Sequence, residues 1–264
     1  MDRIQEGTLL WEPKKERVEN SKLNQYMTWL KKEKNLSFYT YDKLWDWSVT
    51  EMEDFWTSIW EYFDVQAKSP YRSVLSERKM PGAKWFEGAA INYTEHVFRN
   101  RDWEKTAIIH TAEVREGLRE VSWRELYQDT VALQQTLKNL GVQKGDRIVS
   151  YSANNYETVV AFLATASLGA VWSSASPDFG TQSVIDRFKQ IEPKVMFTVD
   201  GYRYGGKEFN RLGTVKDIQA ELPTLEATIA IPYLNKDADF SSLKNPIYWE
   251  QVIQKNGEQT LTYE

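Results

Sequence analysis

The sequence predicts an α/β protein: a helical, aromatic-rich N-terminal cap, then a doubly wound, mainly parallel sheet with helices on both faces. Three observations carry this. Seven of the 11 tryptophans (Trp11, Trp29, Trp45, Trp47, Trp56, Trp60 and Trp85) fall in the first 85 residues. The stretch MPGAKWFEG at 80–88, broken by Pro81, Gly82 and Gly88, closes that region. From about Thr106 short β-branched runs alternate with helical stretches through brief connections, the signature of a parallel sheet covered on both sides. The domains implied are a cap over 1–98 and an α/β domain over 99–264.

In the cap, Leu23, Tyr26 and Leu30, then Met52, Phe55, Trp56, Ile59, Trp60 and Phe63, recur at helical spacing. Ser48 and Thr50 precede the acidic start of EMEDFW and offer N-cap oxygens. The charge runs Lys14–Arg17 and Lys31–Lys34 read as solvated surface. Beyond the break, TAIIHTA (106–112) reads as a strand. VSWREL then opens a helix, with Ser122 as N-cap, Glu125 as its reciprocal partner, and Val121 and Leu126 as a hydrophobic staple. Gly141 ends that helix. A turn at Lys144–Asp146 leads to a strand over Arg147–Tyr151, and a second helix begins near Asn155. The nearly apolar run Val159–Trp172 reads as a buried helix, and TQSVIDRFKQI as a third helix stopped before Pro193. Strands follow at KVMFTVD (194–200) and ATIAIPYL (227–234).

The absence of cysteine excludes disulfides, a thiolate nucleophile and a cysteine zinc site. His96 and His110 lack the spacing of a zinc pair and read as surface or satisfied residues, so no metal site is expected. No G-x-G-x-x-G, Walker A or G-x-S-x-G pattern occurs. A net charge of −5 offers no general attraction to nucleic acid or anionic membrane. The opening MDRIQEGTLLWEPKKER lacks a signal-peptide core, and the 14-residue apolar run is too short to span a bilayer, so a cytoplasmic location is expected.

Parallel sheets bind ligands outside the C-terminal ends of their strands, which directs attention to the loops after Tyr151 and Val199. In DGYRYGGKEFN (200–210), Gly205 and Gly206 permit close backbone approach, and Arg203 and Lys207 bracket them with positive charge. By its residues alone this reads as a surface hairpin with two exposed cations rather than a phosphate site. After GAVWSSASPDFG (169–180), Thr181 can cap a helix whose amides would attract an anion, but by spacing alone the loop reads as a structural turn that buries Trp172.

Read in order, KWFEGAAINYTEH (84–96), VSWREL, LKNLGVQKGDRIV, NNYETVVAFLATASLGA and GAVWSSASPDFG resemble the N-terminal part of an acyl-CoA synthetase of the acyl-adenylating (AMP-binding) superfamily. GAVWSSASPDFG and LWDWSVTEMEDFW resemble the acetoacetyl-CoA branch, where acetate enzymes carry a histidine and glycines. The resemblance covers essentially the whole chain. It implies ligation of acetoacetate to CoA with ATP and magnesium through an acyl-adenylate, with AMP and pyrophosphate released. A ligase for another short-chain acid and a non-catalytic CoA- or nucleotide-binding module are the alternatives. The superfamily holds ATP phosphates on a Ser/Thr/Gly-rich loop ending in lysine, binds ribose with a later acidic residue, and brings a lysine from a small C-terminal domain. None of these motifs occurs in this sequence, so catalytic residues are expected beyond Glu264, in a missing C-terminal portion, and the chain alone is expected to be inactive. The resemblance assigns Arg203, Gly205, Gly206 and Lys207 to the CoA nucleotide phosphate, and Ser176, Pro177 and Asp178 to the CoA adenine site. Lysine at 207 stands where acetate-type relatives have arginine, exchanging a bidentate fork for a point charge.

Overall fold

The structure, a computed structural model, describes residues 5–254 and 259–264; the first four residues of the opening MDRIQEGTLLWEPKKER lie outside the described residues. Two compact units divide the chain, Met1–Ile91 and Asn92–Glu264.

The first unit contains helices α1 (Lys15–Glu19), α2 (Lys22–Lys34), α3 (Tyr41–Thr50) and α4 (Met52–Tyr62), and strands β1 (Ser73–Leu75) and β2 (Trp85–Glu87), paired antiparallel. Tyr26, Leu30 and Leu44 form its buried core, with Trp29, Trp47, Phe55, Ile59 and Tyr62 packed around them. The Tyr26 hydroxyl lies 2.6 Å from that of Ser58, which satisfies both buried polar groups. Ser48 and Thr50 do not cap α4. Both lie in α3, where their hydroxyls donate to the carbonyls of Trp45 and Asp46, and α4 starts at Glu51 without a side-chain cap. A short polar side chain inside a helix back-bonds to the preceding turn, which removes it as a cap for the next.

The second unit begins with α5 (Tyr93–Phe98), whose Asn92 N-cap accepts from the amides of Thr94 and Glu95. The division between the two units falls between Ile91 and Asn92, so α5 packs with the α/β unit. Phe98 belongs to the core of the α/β unit, and Thr94 donates to the Leu163 carbonyl. Strands β3 (Thr106–His110) and β4 (Arg119–Ser122) form an antiparallel pair that leads into α6 (Trp123–Asn139). Then follow β5 (Arg147–Tyr151), α7 (Tyr156–Ser167), β6 (Val171–Ala175), α8 (Thr181–Lys189) and β7 (Val195–Val199). The hairpin β8 (Gly201–Tyr204) and β9 (Lys207–Asn210), α9 (Leu212–Ala220), β10 (Ala227–Ile231), β11 (Pro246–Tyr248) and α10 (Trp249–Val252) complete the unit.

The main sheet is parallel throughout, in the order β11-β10-β7-β5-β6. The two-residue period of a strand divides its side chains between two cores. Ile148, Val195, Phe197, Val199, Ile229 and Ile231 face one core with α6, α7 and α10. Val149, Tyr151, Met196 and Ala230 face the other with α8 and α9. Helices thus cover both faces, as the fold class requires. Each fully buried large side chain, Phe197 for example, contributes about 2–3 kcal/mol of transfer free energy.

The apolar run Val159–Trp172 is not one helix. It ends as α7 at Ser167 and continues as strand β6. Gly169, at φ +64°, donates to the Ala166 carbonyl while Ala170 donates to that of Thr165, the two bonds of a Schellman stop. The same pair of bonds ends α6 at Gly141 and Val142. Ser122 caps α6 as expected, accepting from the Glu125 amide at 3.1 Å, whereas the Glu125 carboxylate pairs with Arg119 at 2.5 Å. Thr181 is the first residue of α8, and Gly180 occupies the cap position without a side-chain bond. Among the described residues no helix is long and apolar enough to cross a membrane.

Candidate functional site

From β5 the chain moves outward to β6, and from β7 it moves the other way to β10, so the switch in strand order lies between β5 and β7. A crevice at their C-terminal ends is the expected ligand position. Asp200, directly after β7, fixes this edge. Its buried carboxylate accepts from the amides of Tyr233 and Leu234 through Oδ1 and of Asn235 through Oδ2, each at 2.8 Å. The exits of β7 and β10 are thereby joined. Gly201 starts the hairpin in a gap that admits no side chain: an added Cβ would meet the Phe209 carbonyl at 2.4 Å and Leu234 Cδ2 at 2.8 Å.

The hairpin carries four of the expected site residues. Tyr202 stacks on Phe209, with centroids 5.0 Å apart, and Arg203 pairs across the strands with Glu208 at 2.5 Å. Gly205 and Gly206 form the two-residue turn, at φ +59° and +75°, the positive values that a type I′ hairpin turn demands. Lys207 is exposed at the first position of β9. Both turn amides are occupied by a carboxylate: Gly205 donates to Glu113 Oε1 at 3.0 Å and Gly206 to Oε2 at 2.9 Å. Arg203 donates to the Glu113 carbonyl oxygen at 3.2 Å. These amides, with Arg203 nearby, hold the Glu113 carboxyl below the usual carboxylate range.

Ser176 and Asp178 are exposed on the loop between β6 and α8, and Pro177 is buried. Two side chains hold this loop. The Tyr151 hydroxyl, at the end of β5, donates to the carbonyls of Pro177 at 2.8 Å and Phe179 at 3.2 Å. Arg211 donates to the Pro177 carbonyl at 2.7 Å and to the Tyr202 hydroxyl at 3.1 Å, with its guanidinium over the rings of Tyr202 and Phe209. Arg211 therefore joins the base of the hairpin to the 176–180 loop, while the hairpin tip is tied to the 111–118 connection. Trp172 is half-buried against Phe162 and Phe197, so the loop also anchors an aromatic side chain.

The β3–β4 connection crosses the same sheet edge. Arg115 pairs with the buried Glu157, just after β5, at 3.1 Å and lies over the Tyr233 ring, just after β10. His110 ends β3 beside Tyr156, and burial together with Arg115 and Arg119 lowers its pKa, which favours the neutral ring. Its Nε2 is buried without a hydrogen-bond partner among the described residues. His96 Nδ1 lies 3.0 Å from the Asn92 carbonyl oxygen. Among the described residues no group of acidic, histidine and cysteine side chains could hold a metal ion. Sequence reasoning missed Glu113, Tyr151, Gly201 and Arg211; only the position of Tyr151, at the end of a strand, marked it beforehand.

A cavity of 820 Å³ beside the hairpin is lined by Asp200, Glu208, Asp237 and Asp239 against the single cation Lys236, with neutral residues between them. Four carboxyl groups suit a phosphoryl group poorly, whereas the two turn amides with Arg203 and Lys207 suit one well.

The AMP-binding enzyme family matches residues 95–260, and the acetyl-coenzyme A synthetase N-terminus family matches residues 41–97. The chain belongs to the AMP-binding enzyme family. Within it, the chain is similar to the acetoacetyl-CoA synthetase of Danio rerio, 32% identical over 98% of this chain and 39% of that protein. It is likewise similar to the acetoacetyl-CoA synthetase of Gallus gallus, 34% identical over 95% of this chain and 38% of that protein. Among solved structures, the acetoacetyl-CoA synthetase from Streptomyces lividans superposes with a TM-score of 0.88 at 40% identity, covering 96% of this chain and 39% of that one. The chain thus spans about 38–39% of the length of these AMP-binding relatives.

Proposed function

We propose that this chain is the N-terminal portion of an acetoacetate–CoA ligase. The observation that carries the reading is the likeness to acetoacetyl-CoA synthetases along nearly the whole chain, in sequence and in fold. The whole protein would activate acetoacetate with magnesium-bound ATP, releasing pyrophosphate, and CoA would displace AMP to give the thioester. Adenylation turns a poor carboxylate leaving group into a good one, which is the chemical reason for spending ATP.

In this reading the present residues serve CoA rather than ATP. The Gly205 and Gly206 amides, Arg203 and Lys207 take the nucleotide phosphate, and the loop at Ser176, Pro177 and Asp178 lines the adenine. The fit rests on the carboxylate seated on the two turn amides, because a carboxylate and a phosphate present the same pair of acceptor oxygens. Arg211 and Tyr151 position the loop through the Pro177 carbonyl. The 264-residue chain alone is inactive in this reading, since it carries no Ser/Thr/Gly-rich phosphate loop ending in lysine.

The test is ATP–pyrophosphate exchange with a form extended to the length of the relatives, compared with the 264-residue chain. Exchange dependent on acetoacetate, and absent from the shorter chain, is expected. Exchange with acetate but not acetoacetate would move the reading to the acetyl-CoA type, whose N-terminal family matches residues 41–97.

A further inference from the structure

We propose that Glu113 is a built-in anion that occupies the phosphate position of the Gly205–Gly206 turn and is exchanged for the phosphate of an incoming ligand. The inference rests on the CoA-phosphate reading of the hairpin and deepens it. Both carboxylate oxygens of Glu113 are engaged, one on each turn amide, at 3.0 and 2.9 Å. A second anion cannot use those amides while the carboxylate remains. Nor is the contact local, since Glu113 reaches the turn from 92 residues away in the chain.

The connection that carries Glu113 is a strap across the C-terminal edge of the sheet. At one point Glu113 holds the hairpin that follows β7; at another Arg115 holds Glu157 after β5 and covers Tyr233 after β10. On either side of both residues, Thr111 donates to the Gly117 carbonyl at 2.7 Å and closes the loop on itself. A phosphate arriving at the turn meets Arg203 and Lys207 as attractive charges and Glu113 as a repulsive one. Because Arg203 also binds the Glu113 carbonyl and the Glu208 carboxylate, displacement frees a guanidinium donor as well as two amides. The exchange loosens one end of the strap while Arg115 keeps the other in place. Ligand phosphate thereby opens the crevice edge that the ligand needs.

If the latch is closed about nine-tenths of the time, its removal strengthens phosphate binding about tenfold, because apparent affinity scales with the competent fraction. The probes are CoA, dephospho-CoA and inorganic phosphate, titrated by calorimetry into the 264-residue chain and its E113A and E113Q variants. The Gly205 and Gly206 amide resonances are followed alongside. In the unaltered chain both resonances move as Glu113 titrates at acid pH, and they stop doing so in E113Q. E113A binds CoA several-fold more tightly and leaves dephospho-CoA unchanged. Glycine resonances blind to Glu113 would overturn the latch, as would CoA and phosphate affinities that E113A leaves untouched. The CoA reading fails separately. If K207A does not weaken CoA while E113A still strengthens inorganic phosphate, the exchange stands and the nucleotide assignment falls.

Discussion

Gly201 shows how one missing side chain shapes the site. The Phe209 carbonyl and Leu234 Cδ2 lie where its Cβ would be, at 2.4 and 2.8 Å, and neither a strand backbone nor a packed leucine yields without cost. Gly201→Ala is expected to lower stability by about 1–3 kcal/mol. Gly213→Ala in α9, where an added Cβ meets nothing within 4 Å, is expected to raise it by about 0.5–1 kcal/mol. Urea unfolding midpoints at unchanged slope give the comparison, and equal losses in both variants would contradict it. At this scale the sequence is legible where partners are near neighbours. Ser122 and Asn155 are caps because each accepts from the amide three residues on, a relation written in the local order of residues. Arg211 is opaque because its carbonyl partner lies 34 residues away, and Glu113 because its amides lie 92 and 93 away. The hairpin cations could be found by spacing, but the carboxylate facing their turn could not.

Among the secondary-structure elements, Asn92 connects three parts of the second unit. Its Oδ1 caps α5, while Nδ2 donates to the carbonyls of Ala166 and Ser167 at the end of α7, and to that of Glu264, at 3.0–3.1 Å. Asn92→Ala removes the cap and leaves those carbonyls without this donor, and is expected to cost about 3 kcal/mol. Asn92→Asp preserves the cap acceptor but turns an anion toward the carbonyls, so it is expected to be at least as destabilising. Thermal denaturation of the two variants tests this, and an aspartate variant as stable as the unaltered chain would contradict it. Strand β6 is the element that periodicity hid. Its Val171 and Trp172 extend the apolar run of α7 without a change in composition, and only the Leu168–Gly169 pair marks the break. The identical Leu140–Gly141 pair ends α6 in plain view because polar residues follow it. Pattern reading resolves an element when its neighbours differ in polarity, and α7 and β6 do not.

For the whole molecule, the two units are built by different means. The first packs aromatic rings edge to face around a small core, as with Trp29 on Tyr62 and Trp47 on Phe55. The second divides the side chains of its central strands between two cores. Both units also expose apolar surface. Tyr41, Trp45 and Trp56 are exposed in the first, and in the second β6 ends the sheet with Val171 exposed. An open strand edge and exposed rings favour association. The 264-residue chain is expected to sediment as larger species as its concentration rises, with a concentration-dependent melting temperature. A single monomeric boundary and a constant melting temperature across a hundredfold range would contradict this.

The carboxylate of Asp200 has a consequence for how the central strand finds its place. All five residues of β7, Val195–Val199, are buried, and all but Thr198 are apolar. A slip by one residue would send every side chain to the opposite face without exposing any apolar group to water, so polarity alone does not specify the alignment. The three amides gathered by Asp200 do specify it, because they fix one residue of the strand's exit against one turn of the β10 exit. Asp200 is an end-stop: it sets the reading frame of a strand in which Thr198 alone among the side chains is polar.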